Sequence, residues 1–170
     1  MTIELEPLSK DEWMPRVRVQ VLQGAQETRK VADELENAGI RSDIQTLDIV
    51  GQRFGEWPEG YVVRLRQEPS PVIGWAHARL LERTPRTADL SWETARPFQG
   101  HGYMREAIPR IVEWLVRRRG IAVVSAWVPS GHEQSEKVAQ AGGLHPTGTS
   151  DPARRTLMWE RTAPILPNVD

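Results

Sequence analysis

The middle of the chain alternates apolar and polar side chains in three short runs separated by turn residues. The runs are Tyr61–Gln67, Val72–Leu81 and Ala88–Ala95, and the turns between them are Glu68–Pro71 and Glu82–Thr87. Alternation with a period of two residues is typical of strands that bury one face. Since short turns between such runs favour antiparallel pairing, this stretch predicts a three-stranded meander.

The second half of the chain predicts helices that alternate with strands. Apolar residues three or four positions apart predict a long helix, although Pro109 lies inside it, and a continuous apolar run after it predicts a buried strand. A strand, a helix and a further strand in this order predict a parallel strand pair with a right-handed crossover. The predicted elements are helices at Gly102–Arg118 and Glu133–Ala141 and strands at Ile121–Val128, Leu144–Gly148 and Thr156–Arg161.

The first forty residues allow two interpretations. Thr2–Pro7 alternates like a short strand. Between residues 16 and 38, valines at alternate positions favour a strand at 17–21, whereas apolar residues three and four apart favour one helix through the whole stretch. On either interpretation Glu27–Ala38 is helical and ends at Gly39. The secondary structure of the remaining residues up to 60 stays open.

Composition excludes several classes of protein. A chain of 170 residues is expected to form one domain, residues 1–170, with a core of its own. Its 22 Lys and Arg balance 23 Asp and Glu, which argues against a nucleic-acid partner. Without cysteine, disulfides, thiolate metal sites and cysteine nucleophiles are excluded, and no His, Asp and Glu cluster has the spacing of a metal site. Because the chain has neither a membrane-spanning apolar run nor a signal peptide, a cytoplasmic location without membrane contact is expected.

The segment RPFQGHGYMREA, residues 96–107, carries the strongest chemical signal. Gly100 and Gly102 lie between a predicted strand and a predicted helix, where they permit a tight turn and close approach to a ligand. The unpaired N–H groups at the start of a helix, together with its dipole, form an anion site that would suit a pyrophosphate. A plain strand-to-helix turn would explain the same two glycines. The segment matches neither a dinucleotide fingerprint nor a P-loop, because Arg105 replaces the third glycine and no Gly-Lys-Ser/Thr occurs.

The segment resembles motif A of the GNAT acetyltransferase superfamily, Gln/Arg-x-x-Gly-x-Gly/Ala. Gln99 and Gly102 fit its first and fourth positions, whereas Met104 stands where Gly or Ala is usual. The run Gly-x-Gly-Tyr-Met-x-Glu-Ala is more similar to the branch that includes ribosomal-protein N-terminal acetyltransferases. The resemblance continues at His132–Ser135, where His replaces the first residue of an Asn-x-x-Ser motif, and it covers about residues 72–161.

The resemblance implies a fold of the α/β (α+β) class, in which a mixed, mostly antiparallel sheet splays at a central parallel strand pair and is flanked by helices. It also implies acetyl-CoA as the cosubstrate, with the pantetheine arm on backbone groups near Trp92 and Thr94. The diphosphate would lie on the amides of residues 99–104, with Gln99 and Arg105 beside it. The cofactor-binding residues implied in this way are Trp92, Thr94, Gln99, Gly100, His101, Gly102, Tyr103, Met104 and Arg105.

Transfer of acetyl from a thioester to an amine needs a group that removes a proton, because a free alkylammonium has a pKa of about 10.4. The carboxylates on the strand beside the cofactor are Asp89 and Glu93, and we prefer Glu93 as the base because it lies nearer the cofactor end. A solvated strand residue is the alternative interpretation of Glu93. His77, on the preceding strand, could face the same cleft, although an isolated strand histidine is more often structural.

A second catalytic group would assist the departure of the thiolate. Many members of the family have a tyrosine there, but the equivalent position is Ala139. By resemblance to the ribosomal-protein branch, Ser135 could donate a hydrogen bond to the thiolate; alternatively it is a helix N-terminal residue or a contact to CoA. A thiol with a pKa of about 8.5 needs little help to leave.

We therefore expect an acetyl-CoA-dependent N-acetyltransferase whose acceptor is a primary amine on a small molecule or a protein N-terminus. The alternatives are a non-catalytic acyl-CoA-binding domain that serves as a sensor or interaction module and an adenine-nucleotide binder that uses the same anion site. Exposed edge strands would allow a homodimer. Four tryptophans could line an acceptor pocket, although tryptophan more often fills a core: Trp57, Trp75, Trp92 and Trp127.

Overall fold

A computed structural model describes residues 3–8, 15–22, 25–40, 50 and 57–162 of the chain. Its strands are β1 (Ile3–Leu5), β2 (Val17–Val21), β3 (Glu59–Leu65), β4 (Val72–Leu81), β5 (Thr87–Thr94), β6 (Val123–Pro129), β7 (His145–Asp151) and β8 (Thr156–Thr162). The helices are α1 (Ala25–Asn37), α2 (Tyr103–Arg118) and α3 (Glu133–Ala141). Within the described chain no helix is both long enough and apolar enough to cross a bilayer.

The eight strands form one mixed sheet in the order β1-β2-β3-β4-β5-β6-β8-β7. Strands β5 and β6 are parallel, with α2 between them along the chain, and all other neighbours are antiparallel. The predicted meander, the predicted parallel pair and the α/β (α+β) class are confirmed. The α3 helix has the bounds that the sequence predicts, while most strand ends differ from the predicted ones by one to three residues.

Strands β5 and β6 are paired only where they begin. Their register joins Thr87–Asp89 to Val123–Ser125, whereas β5 continues to Thr94 and β6 to Pro129. Along these later residues β5 is paired with β4, and β6 is paired with β8. The sheet therefore splays between β5 and β6, and each strand leaves one backbone edge facing the gap.

The helices cover the sheet with faces that their sequences make apolar. On one side, α2 buries apolar residues three and four apart against β2 to β6, as an amphipathic helix does. On the other side, Val31 and Leu35 of α1 pack with Val62 and Trp75. The fully buried α2 residues are Ala107, Ile108, Ile111, Val112 and Leu115.

The N-terminal ambiguity is settled by pairing. In β2 the valines are buried and the two polar residues between them are half-buried, because the strand lies between β1 and β3. The interpretation of 16–38 as one helix is therefore wrong for Val17–Val21, whereas the predicted helix over 27–38 is confirmed up to Asn37, where α1 ends. Gly39 follows the helix with a φ of 87°, the left-handed conformation that ends many helices.

Candidate active site

A cavity of about 560 Å³ lies where the end of β5, the start of α2 and the start of α3 meet. The β5 residues that line it are Trp92, Glu93 and Thr94, which belong to the part of the strand that β6 does not pair. The lining thus includes every predicted catalytic and cofactor-binding residue except His101. The other lining residues are Phe98, Gln99, Gly100, Gly102, Tyr103, Met104, Arg105, His132, Gln134, Ser135, Lys137 and Val138.

The turn from β5 into α2 is built by local backbone hydrogen bonds. The Phe98 N–H donates to the Ala95 carbonyl at 2.9 Å and closes a short 3-10 helix over Arg96–Phe98. Gly100 and Gly102 then adopt φ angles of 81° and 77°, in the left-handed region that glycine enters without steric cost. This conformation turns the chain sharply into the first residue of α2.

Backbone N–H groups are concentrated at this turn. In the described chain, neither Gly100 nor Gly102 donates its N–H to a backbone carbonyl, and the N–H groups in the first turn of α2 have no acceptor within the helix. The positive end of the α2 dipole lies at the same place. The turn can therefore receive an anion, as the sequence predicts for residues 99–104.

The side chain of Gln99 is tied to the end of β5. Its Nε2 donates to the Thr94 carbonyl oxygen at 3.0 Å. Two groups that the sequence assigns to the cofactor thus bond to each other. Because a carbonyl oxygen can accept two hydrogen bonds, a ligand can still bond to Thr94.

The start of α3 forms the opposite wall of the cavity. His132 caps this helix, since its Nδ1 accepts the backbone N–H of Ser135 at 3.2 Å. Asparagine is a preferred residue for this capping bond, so His132 supplies the function of the residue it replaces in the Asn-x-x-Ser motif. The Ser135 hydroxyl makes no hydrogen bond to a described residue and lines the cavity.

The charges around the cavity favour an anion. Arg105 is exposed and pairs with no carboxylate of the described residues, while Lys137 pairs with Glu133 on its own helix at 3.2 Å. Two helices, α2 and α3, begin at the cavity. Glu93 is the one carboxylate among the lining residues.

The two candidate bases occupy different places along β5. Glu93 is half-buried, faces the same side of the sheet as its β4 partner Trp75, and lines the cavity. Asp89 lies where β5 and β6 separate, accepts the Ser125 hydroxyl at 3.0 Å and lies 3.8 Å from Arg79. Burial raises the pKa of the Asp89 carboxyl, while the Ser125 hydrogen bond and the Arg79 charge act in the opposite direction.

Both histidines that precede α2 are engaged in stacking. The His77 ring stacks on Trp75 at 5.6 Å between ring centroids, which supports a structural function. The His101 ring stacks on Tyr103 at 5.4 Å, its Nδ1 lies 3.2 Å from the Phe98 carbonyl, and it does not line the cavity. The His101 side chain therefore lies outside the set of predicted cofactor-binding residues that line the cavity.

Three of the four tryptophans pack into the core, and one of them, Trp92, also lines the cavity. Trp75 is fully buried, and Trp57 and Trp92 pack against buried residues. Trp127 is 38% exposed and lies on the sheet face that carries Ser125, across the splay from Glu93. Among the described residues, no three His, Asp or Glu side chains come together as a metal site.

Several lining residues are not among those predicted from the sequence. Phe98 belongs to the 3-10 turn, and Gln134 and Val138 lie on the first two turns of α3. Phe98 and Gln134 lie inside the two segments that the sequence singles out, residues 96–107 and 132–135, but are not themselves assigned a function there, and Val138 lies outside both segments. For Gln134 and Val138 the signal is positional, because the start of a helix that follows the second strand of a parallel pair faces the splay.

Comparisons with known proteins agree with this geometry. The profile of the family described as "Acetyltransferase (GNAT) domain" matches residues 3–145. Among solved structures, the ribosomal-protein-S5-alanine acetyltransferase from Vibrio fischeri is 14% identical with a TM-score of 0.72, and the match covers 94% of this chain and 96% of that chain. No curated protein matches the sequence significantly.

Two further solved structures of similar fold hold the coenzyme. Aminoglycoside acetyltransferase AAC(6')-Ib in complex with coenzyme A is 15% identical with a TM-score of 0.63, over 85% of this chain and 94% of that chain. The microcin C7 self-immunity acetyltransferase MccE in complex with acetyl-CoA and AMP is 11% identical with a TM-score of 0.62, over 88% of this chain and 94% of that chain. At these identities the likeness concerns the fold.

Proposed function

The chain belongs to the GNAT acetyltransferase family, and from this premise we propose that it transfers an acetyl group from acetyl-CoA to a primary amine. The acceptor is a small molecule or a protein N-terminus, and both substrates are bound together when the amine attacks. The observation that carries the proposal is the cavity itself, which joins the unpaired edge of β5 to the amide-rich start of α2.

The cavity suits the two ends of a coenzyme A chain. The pantetheine arm carries amide groups, so it can bond to the exposed β5 edge at Trp92 and Thr94 in the way that an added strand does. The diphosphate would lie against the amides of Gly100 to Met104, with Arg105 and Lys137 supplying positive charge. Crystal structures of AAC(6')-Ib with coenzyme A and of MccE with acetyl-CoA support this cosubstrate for a protein of the same fold.

The chemistry proceeds by direct attack. The neutral amine nitrogen bonds to the thioester carbonyl carbon, the carbon–sulfur bond breaks, and CoA leaves as a thiolate. Glu93 takes the proton that the amine gives up, because it is the carboxylate that lines the cavity. The Ser135 hydroxyl, which bonds to no described residue, would donate a hydrogen bond to the leaving sulfur.

The acceptor would approach from the sheet face that carries Glu93 and Trp127. A carboxylate attracts an alkylammonium, and the exposed indole of Trp127 can hold a cation over its ring. AAC(6')-Ib has been solved with the amine-rich aminoglycoside kanamycin, and the V. fischeri relative is named for the alanine of a ribosomal protein. These relatives support an amine as the acceptor class.

The experiment that tests the proposal measures thiol release from acetyl-CoA against a panel of amines. The panel contains aminoglycosides, polyamines and peptides with free N-termini, and a matching set of N-acetylated compounds serves as the control. We expect release with at least one free amine and none with its acetylated form. Tight binding of CoA without release on any amine would instead establish a non-catalytic acyl-CoA-binding domain.

A further inference from the structure

Arg16, which precedes β2, contacts both the turn that leads into α2 and the first turn of the helix itself. Its Nη1 donates to the His101 carbonyl oxygen at 2.8 Å, and its Nε lies 3.3 Å from Oε2 of Glu106. Its guanidinium carbon lies 4.9 Å from the ring centroid of Tyr103, which places the cation over the ring. One side chain thus holds residues 101, 103 and 106 together.

The backbone of Arg16 is anchored, while its side chain is 49% exposed. Its carbonyl oxygen accepts the Arg66 N–H at 2.9 Å, and its own N–H lies 3.5 Å from Oε1 of Glu106. The buried Arg110 of α2 donates to the carbonyl of the next residue, Val17, at 3.0 Å. Helix α2 is therefore fixed to the start of β2 by two arginines, one of which reaches the glycine turn.

The contact with His101 has a consequence for the neighbouring amide. In a trans peptide the C=O and the following N–H point in opposite directions. A His101 carbonyl that points toward Arg16 therefore turns the N–H of Gly102 away from Arg16. Gly102 lines the cavity, and its left-handed φ is one that a glycine leaves easily unless something fixes it.

We infer that Arg16 is a positioning residue for the diphosphate of the acyl donor, acting through the peptide between His101 and Gly102. The inference rests on the proposed function, since it assumes that this turn receives a diphosphate. Arg16 does not line the cavity, so it acts without touching the donor. It lies 85 residues before His101 in the chain, outside the glycine motif.

The test compares two acyl donors, of which one has the diphosphate with its attached 3′-phosphoadenosine and the other has neither. Acetyl-CoA is the first and S-acetylpantetheine the second, so loss of positioning affects acetyl-CoA alone. For Arg16→Ala we expect the KM for acetyl-CoA and the Kd for CoA to rise about ten- to a hundredfold, while kcat changes by less than about twofold. The kcat/KM for S-acetylpantetheine should stay at the wild-type value.

Two more variants keep the inference falsifiable if Arg16→Ala folds poorly. Arg16→Lys keeps the charge but lacks the planar fork that bonds to two acceptors, so the Kd for CoA should rise by an intermediate factor. Arg18→Ala is the matched control, because Arg18 lies two residues later, on β2, and pairs with Glu4 on the surface, away from the turn. It should leave both donors unaffected.

The outcomes separate this inference from the proposed function. Equal affinity of wild type and the folded Arg16 variants for CoA would overturn the inference and leave the proposed function standing. A parallel loss with both donors would also overturn it, because that result indicates general destabilisation. If the wild-type protein bound no CoA at all, both the proposed function and the inference would fall.

Discussion

The Cε atom of Met104 lies 2.9 Å from the position that a Cβ on Gly74 would occupy, so the Met104 side chain fills the space that the glycine leaves open. Met104 is buried and stands where the family motif usually has Gly or Ala. Gly74 lies on β4 opposite Thr94, next to the lining of the cavity. The larger residue in the motif is therefore accommodated by the absence of a side chain on the neighbouring strand.

Gly74→Ala should destabilise the fold. The new Cβ would lie 2.8 Å from the carbonyl oxygen of Glu93 as well as 2.9 Å from Met104, and the backbone of β5 cannot move aside as a methionine can. We expect a loss of about 1–3 kcal/mol in the free energy of unfolding, measured in urea. At a site without a clash, Gly→Ala stabilises a protein by about 0.4–1 kcal/mol. A gain in the free energy of unfolding for Gly74→Ala would therefore contradict the clash. The double variant with Met104→Ala should relieve only the side-chain part of the clash.

Glu93→Gln should lower the rate of acetyl transfer without loss of fold. A general base contributes about a hundred- to ten-thousandfold, and glutamine keeps the shape of the side chain. The deficit should be largest at neutral pH and shrink as the pH approaches the pKa of the acceptor amine, because the amine then loses its proton to water. The measurement is the pH profile of kcat/KM for the amine.

Two controls accompany Glu93→Gln. Glu82→Gln changes an exposed turn residue and should leave the profile unchanged. Asp89→Asn tests the other carboxylate of the strand. If the pH profile of kcat/KM for Glu93→Gln matched that of wild type, Glu93 would not be the base. The same conclusion would follow if Asp89→Asn, and not Glu93→Gln, lost the wild-type profile.

The capping bond of His132 gives a third prediction. His132→Ala removes the acceptor for the Ser135 N–H and should cost about 1 kcal/mol of stability, whereas His132→Asn should restore it, because asparagine is a strong cap. Thermal unfolding of the three proteins measures the difference. If alanine and asparagine were equally stable at this position, the histidine would not be acting as a cap.

The elements that the sequence predicts best depend on local patterns. The meander over β3 to β5 follows from period-two alternation between turns, and α3 follows from a short apolar stripe that two glycines end. Residues 17–21 fit both the period of two that predicts a strand and the three-and-four spacing that predicts a helix. Pairing with β3, more than 35 residues later in the sequence, decides between them, as the register of Val17 with Leu65 shows.

The functional site likewise has parts that the local sequence predicts and parts that depend on distant residues. The glycine turn and its likeness to a known motif identify most of the cavity lining from sequence. The partners of that turn do not follow from it, because Arg16 approaches from 85 residues away and Gly74 from β4, whose pairing with β3 leaves out one residue, Ile73. Contacts of this kind depend on the whole sheet, so no window of sequence contains them.

Pro109 lies in the interior of α2, where it cannot donate to the carbonyl of Arg105, and nothing in the structure explains its presence. Such a proline costs about 3 kcal/mol, of which about 1 kcal/mol is offset by the stiffer unfolded chain. Pro109→Ala should therefore raise the free energy of unfolding by about 2 kcal/mol. Pro97 stands near the first position of the 3-10 helix, where proline is favourable, so Pro97→Ala should have the opposite sign. Urea denaturation of the two variants measures the change in the free energy of unfolding. If both substitutions changed it in the same direction, this account would be refuted.

Asp89 should make the stability of the protein depend on pH in a direction that its burial fixes. Burial raises its pKa above the ordinary value of 3.8, so the folded state binds the proton more tightly than the unfolded state does. Its contribution to stability is therefore fully present below pH 3.8 and is lost as the pH rises through the higher pKa of the folded state. Asp89→Asn cannot ionise and should gain stability relative to wild type as the pH rises from below 3.8 to above the pKa of the folded state.

Urea unfolding of both proteins across this range measures the difference, and Ser125→Ala sharpens it. The Ser125 hydroxyl donates to Asp89 and favours the charged form, so its removal should raise the pKa further and steepen the pH dependence. A difference between Asp89→Asn and wild type that stayed constant with pH would mean that the carboxyl is not desolvated. Because Asp89 does not line the cavity, a stabilised Asp89→Asn protein that still transfers acetyl would also favour Glu93 as the base.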